Sequence, residues 1–143
     1  MSILFINGSP NKNGNTVSLA KELLKDKNFQ TLHLVDYKIY SYGQQFADDQ
    51  FNEVVSAMSN ADTIVIGSPL YWHSMSGAIR NLLDRFYGGV DESLLAGKDL
   101  YFIFQGASPT KEQLAAGKFT MGRFASLYGL NFKGMITSKS EIR

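Results

Sequence analysis

This chain has no cysteine. Disulfides, thiol nucleophiles and thiolate-held iron–sulfur clusters are therefore excluded together. Its two histidines, His33 and His73, lie too far apart in sequence to suggest a zinc site. No charge of one sign dominates: 14 Lys and Arg against 13 Asp and Glu leave a formal net charge of +1. With no basic run or stripe, nucleic acid is not expected as a partner. No apolar run approaches the roughly 18 residues that a membrane span needs. Nor does a charged leader with a cleavage site precede the first apolar run. The expectation is a cytoplasmic protein with no membrane partner and no metal site, whose redox chemistry, if any, comes from an organic cofactor.

What the chain does have is apolar mass. At 143 residues and 44% hydrophobic, it can build one globular domain over 1–143 with a substantial core. Apolar runs alternate with helix-period stretches, the pattern of a parallel sheet wrapped by helices, and so an α/β fold. The patterning predicts strands near 2–7, 30–35, 63–67, 100–105 and 132–137. It predicts helices near 15–25, 49–59, 76–87 and 110–128. The inner stripes are Val17, Ala20, Leu23 and Leu24, then Phe51, Val54, Val55 and Met58, then Ile79, Leu82, Leu83 and Phe86. The fourth strand is apolar along its length, which predicts cover on both faces.

Between the first strand and first helix runs Gly8-Ser9-Pro10-Asn11-Lys12-Asn13-Gly14-Asn15-Thr16. Such a loop aims backbone N–H groups and hydroxyls at the positive end of a helix dipole, where a phosphate is favoured. A Walker loop would need four residues between its glycines and then Lys-Ser/Thr. Here five residues separate Gly8 from Gly14, and Asn15 stands where the lysine should be. The dinucleotide fingerprint is absent as well. The loop suits a single phosphate held mainly by neutral donors, with Lys12 at the rim. Charge-assisted hydrogen bonds are worth about 1.5–3 kcal/mol each, so several could hold a dianion. An ordinary N-capped turn is the alternative.

The loop after the third strand, Gly67 to Gly77, carries Pro69, Leu70, Tyr71 and the chain's one tryptophan, Trp72. Large aromatics in a loop either pack on the core or an interface or form a platform for a flat ligand. The loop after the fourth strand is Gln105-Gly106-Ala107-Ser108-Pro109, where Gly106 would let a flat ligand approach the backbone. All three loops follow strands, and so lie at the carboxyl edge where doubly wound sheets bind ligands. Together they fit a mononucleotide with a large aromatic head.

The set Gly8-Ser9-Pro10 with Gly14-Asn15-Thr16, Ser68-Pro69-Leu70-Tyr71-Trp72, and Arg80 through Asp84-Arg85-Phe86-Tyr87 resembles the NADPH-dependent FMN reductase and NAD(P)H-dependent oxidoreductase family of the flavodoxin-like superfamily. The resemblance covers about residues 1–137. It implies a three-layer sandwich with a five-stranded parallel sheet in the order 2-1-3-4-5. It also implies FMN as cofactor and NAD(P)H as co-substrate. Ser9, Asn13, Asn15 and Thr16 would hold the phosphate. Pro69, Leu70, Tyr71 and Trp72, with Gln105, Gly106 and Ala107, would contact the ring. No side chain is required as an acid, base or nucleophile. The implied reaction passes hydride from a nicotinamide to flavin and on to a quinone, a nitro or azo compound, or free flavin. The alternatives are a flavodoxin-type electron carrier, against which the +1 charge weighs, or a truncated, weak flavin binder.

The chain departs from the family pattern in places. Arg80 stands where relatives usually have lysine. The loop over 36–48, where some relatives carry a cysteine cluster, has Tyr37, Tyr40, Tyr42 and Phe46 instead, suited to a lid, a subunit contact or an ordinary packed loop. His73 reads as a solvated loop residue or a proton relay, and Asp84 and Arg85 as a structural ion pair or helix-end interaction. No fifth helix follows the last strand before Arg143, which would leave helix one alone on one face of the sheet. Strands three and four are then expected to show apolar side chains to water, and a second subunit to cover them as a homodimer or higher homo-oligomer.

Overall fold

The computed structural model describes residues 2–142. Its first half runs β1 (Ile3–Asn7), α1 (Asn15–Leu23), β2 (Gln30–His33), a 3₁₀ turn (Leu34–Asp36), α2 (Phe51–Ser59) and β3 (Thr63–Tyr71). Then come β4 (Ser74–Met75), α3 (Gly77–Phe86), β5 (Asp99–Gln105), α4 (Lys111–Leu127), β6 (Asn131–Ile136) and a 3₁₀ turn at Lys139–Glu141. The parallel sheet is ordered β2-β1-β3-β5-β6. With the two-residue β4 set aside, this is the expected 2-1-3-4-5 order.

The alternation of side chains along each strand divides the core in two. Leu4, Ile6, Ile64, Ile66, Leu100, Phe102 and Phe104 face α2, α3 and α4. Those helices answer with Phe51, Val54, Met58, Ile79, Leu82, Phe86, Met121 and Phe124. A Cβ on Gly117 of α4 would lie 2.4 Å from the Phe104 ring, so this glycine sets how closely α4 can approach β5. On the opposite face Phe5, Val65 and Ile103 pack under Val17, Leu19, Ala20 and Leu24 of α1.

That second face corrects one expectation. Strands three and four do not present a bare apolar surface, because Val65 and Ile103 are both 0% exposed. The reason is the placement of α1, which lies across β3 and β5 more than over its own strand β1. What stays partly open is the margin: Ile3, Phe29, Tyr101, Ile136 and Ile142, half-buried around the α1 core.

The tyrosine-rich segment between β2 and α2 is held by charge. Arg85 of α3 makes a bidentate pair with Asp49, at 2.7 and 2.8 Å, and donates to the Tyr40 carbonyl at 3.0 Å. Its guanidinium also lies 4.7 Å from the centre of the Phe51 ring. Asp49 in turn accepts the backbone N–H groups of Tyr40 and Phe51. Arg85 thus pairs across the fold and not with neighbouring Asp84, which faces Arg80 at 3.7 Å. The aromatic residues sit on the same segment, with Tyr40 against Phe46 at 4.5 Å and Tyr42 edge-on to Tyr87 at 5.9 Å.

The Arg85 hydrogen bonds lower the Asp49 carboxyl from 3.8 to about 2. A depressed carboxylate contributes stability that is complete above its unfolded value and is lost as pH falls through the folded one. Asp49→Asn should lower unfolding free energy at neutral pH by about 1–2 kcal/mol, since one bidentate charge-assisted pair is lost. In urea denaturation the gap between variant and wild type should close as pH drops from about 3.8 toward about 2. A pH-independent gap would show that the pair does not hold this segment.

Candidate functional site

The carboxyl edge of the sheet is organised around two glycines. β1 and β3 pair through Asn7 and Gly67, and the pairing continues one residue further as Gly8 N–H donates to Gly67 O at 2.8 Å. A Cβ on Gly8 would lie 2.3 Å from Ile79 and 2.8 Å from the Gly67 carbonyl. One on Gly67 would lie 2.6 Å from Thr16 and 2.9 Å from Phe5. No side chain fits at either position, and their absence lets β1, β3, α1 and α3 meet.

Hydrogen bonds then stitch the three loops together. The Ser76 hydroxyl donates to Gly8 O at 2.8 Å and accepts from Ile79 N–H, so it fixes the first loop while capping α3. Ser76 N–H donates to the Ser68 hydroxyl at 2.8 Å. Gln105 at the end of β5 donates to the Thr16 hydroxyl in the first turn of α1 at 3.1 Å. Gly106 backs onto β3: a Cβ there would sit 3.1 Å from Leu70. That glycine serves loop-to-strand packing, a role the sequence did not suggest.

Of the expected phosphate residues, Ser9 and Thr16 are buried, while Asn13 and Asn15 are exposed along the loop. Both hydroxyls are already used as acceptors, Ser9 by Asn11 N–H at 3.1 Å and Thr16 by Gln105. Each therefore keeps its hydroxyl hydrogen for donation. α3 and α4 carry side-chain caps, from Ser76 and from a Thr110–Gln113 capping box. α1 follows Gly14 with no side-chain cap and no acidic residue in its first turn. Its N–H groups at the first turn are the open end of a dipole. Lys12, expected at the rim, pairs with Asp36 at 2.8 Å.

Of the expected ring residues, Pro69 is buried, Leu70 is half-buried, and Tyr71 and Trp72 are 44% and 93% exposed. Gln105 and Gly106 are half-buried and Ala107 exposed. The sequence suggested a loop here, but β3 runs on to Tyr71 and folds back as a hairpin, pairing Leu70 with Met75 and Tyr71 with Ser74. Its two-residue turn is Trp72-His73, both at positive φ, 46° and 67°. No glycine or asparagine marks that turn, which is why sequence reasoning missed it. His73 is exposed and bonds Gln113 of α4 through Nδ1.

A cleft of about 160 Å³ opens among Gly8, Ser9, Pro10, Val35, Tyr71 and the start of α3. Larger concavities lie elsewhere: about 690 Å³ beside Ser2, Asn28 and Asn60 at the other end of the sheet, and about 440 Å³ between α3 and α4. Neither borders the stitched loops. Among the described residues no group of acidic or imidazole side chains could hold a metal, and no helix is long and apolar enough to cross a membrane.

A parallel sheet in this order, with its loops joined at the carboxyl edge, defines a flavodoxin-like α/β protein. The model of the NADPH-dependent FMN reductase family matches residues 1–119, and the chain belongs to that family. It is 35% identical over 98 residues to an iron-sulfur flavoprotein of Archaeoglobus fulgidus, covering 59% of this chain and 48% of that protein. It is 34% identical over 68 residues to an NAD(P)H-dependent FAD/FMN reductase of Geobacillus thermodenitrificans, covering 46% and 37%. The chain spans about half the length of the curated relatives it matches. Among solved structures it is similar to a Trp repressor binding protein from Bacillus subtilis. That match has a TM-score of 0.80 at 22% identity, over 95% of this chain and 85% of that one. An FMN-dependent NADH-azoreductase from Bacillus anthracis, in complex with FMN, matches with a TM-score of 0.70 at 12% identity, over 99% and 92%. These two likenesses concern the fold. The Archaeoglobus fulgidus relative is an iron-sulfur flavoprotein, yet this chain has no cysteine with which to ligate a cluster through thiolates.

The stitched edge should be sensitive to one methyl group. Gly8→Ala is expected to destabilise the protein by about 1–3 kcal/mol, because part of the clash is with backbone. Gly77→Ala, with nothing within 4 Å of the added Cβ, should be neutral or slightly stabilising. Denaturant midpoints for the two variants decide this, and equal midpoints would show that the Gly8 contact relaxes freely.

Proposed function

We propose that the chain is a cytoplasmic FMN-dependent NAD(P)H oxidoreductase, taking hydride from a nicotinamide and reducing a quinone, a nitro or azo compound, or free flavin. One observation carries this reading: an uncapped α1 start lies among three loops that hydrogen-bond to one another at the carboxyl edge. FMN, when bound, would supply the two-electron chemistry. The donor set fits it. Ser9 and Thr16 hydroxyls, the Asn13 and Asn15 amides and the first-turn N–H groups of α1 would hold the phosphate without a dedicated arginine.

Pro69, Leu70, Tyr71 and Trp72 on the hairpin, with Gln105, Gly106 and Ala107, would form the wall against the ring. Backbone N–H groups on those segments would favour negative charge developing at the ring's polar edge, as oxyanion donors do. No acid, base or nucleophile is assigned. The near-neutral charge supports a reductase over an electron carrier, whose acidic surface would steer it to basic partners.

FMN at 100 times its Kd should stabilise the protein by about 2.7 kcal/mol, raising Tm by roughly 5–10 °C. The complex should oxidise NADPH steadily with menadione present. An unmoved Tm would overturn flavin binding, and binding without turnover would favour the electron carrier.

The proposal includes a homodimer, through a different face from the one first expected. Tyr42, Tyr87 and Leu127 are 59%, 73% and 56% exposed around the groove between α3 and α4, where Arg80, Arg123 and Asp84 supply charges of both signs. Apolar exposure of this extent, bordered by both charges, suits a self-complementary contact. Leu127→Lys should convert the sedimenting species from dimer to monomer without loss of secondary structure. A monomeric wild type would remove the dimer from the proposal.

A further inference from the structure

Asn7 is 0% exposed, and all its polar groups are engaged. Its Oδ1 accepts Ser9 N–H at 3.0 Å, and its Nδ2 donates to Asn11 O at 3.2 Å. Nδ2 also meets His33 Nδ1 at 3.0 Å. A backbone N–H can only donate and a carbonyl can only accept, so these two contacts fix which end of the amide is nitrogen. The His33 Nδ1 must then be the acceptor, and the neutral ring carries its proton on Nε2. His33 is the register partner of Asn7 on the neighbouring strand, at the end of β2. The chain of contacts runs from β2 through a buried amide to Ser9 and Asn11, and Asn11 N–H closes it on the Ser9 hydroxyl.

We propose that His33 is a positioning residue for the phosphate loop: by accepting from Asn7 it fixes Ser9 and Asn11, and so sets the preference for a phosphorylated flavin over riboflavin. This rests on the FMN reading above. His33 touches neither ring nor phosphate in this scheme and acts through Asn7. Without its acceptor, one hydrogen of a buried amide is left unpaired, and the amide loses its reason to hold both loop contacts together.

The test uses the full chain with His33→Leu, which removes the acceptor, and His33→Asn. In histidine Nδ1 and in asparagine Oδ1 are both bonded to Cγ, so His33→Asn keeps an acceptor at the same place. His33→Leu should weaken FMN by about 3- to 10-fold, the worth of one hydrogen bond, without a matching change for riboflavin. His33→Asn should restore FMN affinity.

In the flavin-free protein, Ser9 and Asn11 amides should exchange with solvent faster in His33→Leu, while Gly8, bonded to Gly67, should not. If His33→Leu fails to fold, His33→Gln takes its place, because its oxygen sits one bond too far out and should not rescue. Equal weakening of both flavins, unchanged FMN affinity, or no advantage of Asn over Leu or Gln overturns the proposal. If wild type binds no FMN, the flavin reading falls, and the amide exchange alone decides whether His33 holds the loop.

Discussion

The contact on which the site depends is the approach of Gly8 to Gly67. It extends the β1–β3 pairing one step past Asn7, by a 2.8 Å backbone hydrogen bond, at the point where β1 leaves the sheet while β3 stays paired with β5. Two further demands meet there. The Ile79 side chain from α3 fills the space beside Gly8, and Thr16 from α1 fills the space beside Gly67. The helices that follow β1 and β3 are therefore seated by the same pair of missing side chains. Ser76 completes the arrangement, since its hydroxyl serves both the α3 cap and the Gly8 carbonyl. Local helix initiation and long-range loop placement rest on one oxygen atom.

Much of the fold was legible because it is written in periodicity. The five long strands and four helices followed from apolar patterning, and their buried faces were largely those expected. Strand order was not readable from composition or periodicity; it came from the family resemblance. What escaped was geometry without a local signature. The course of α1 over β3 and β5 is a matter of crossing angle and side-chain volume, and no motif encodes it. The hairpin at Trp72-His73 lacks the residues that normally announce such a turn. The Arg85–Asp49 pair joins residues 36 apart, and sequence alone points more readily to the adjacent Asp84. In the candidate site the residue types were visible, but not that Lys12 is already paired with Asp36, nor that Gly106 serves packing.

That pairing of Lys12 shifts the electrostatics of the loop between β1 and α1. With Lys12 paired to Asp36, an anion held here, as proposed, would be held through dipoles: two hydroxyl hydrogens, two amides and the open turn of α1. Dipoles act over short distances and demand alignment, whereas a lysine tolerates displacement. A loop of this kind is only as good as its rigidity, and this one is braced from behind. Asn7 holds Ser9 and Asn11, Gln105 holds Thr16, and Gly8 is tied on both sides. Under the proposed reading, precision of position would take the place of charge.

The β3–β4 hairpin, too, is braced from both ends, and it carries backbone strain at Trp72 and His73. Two consecutive non-glycine residues at positive φ cost roughly 1–2 kcal/mol each. That cost is tolerated because the hairpin is over-determined at both ends. At its base Ser68 binds Ser76 N–H, and Met75 is buried at 5% exposure. At its tip His73 binds Gln113, whose Oε1 is already engaged by Thr110 N–H in the cap of α4. An Asn-Gly turn would relieve the strain, but it would remove both the aromatic group and the imidazole that reaches α4. The fold thus keeps a strained turn that carries Tyr71 and Trp72 at the tip of the β3–β4 hairpin. A flexible loop of the same composition would bury its tryptophan against the nearest apolar surface. On this pinned hairpin the indole is 93% exposed instead.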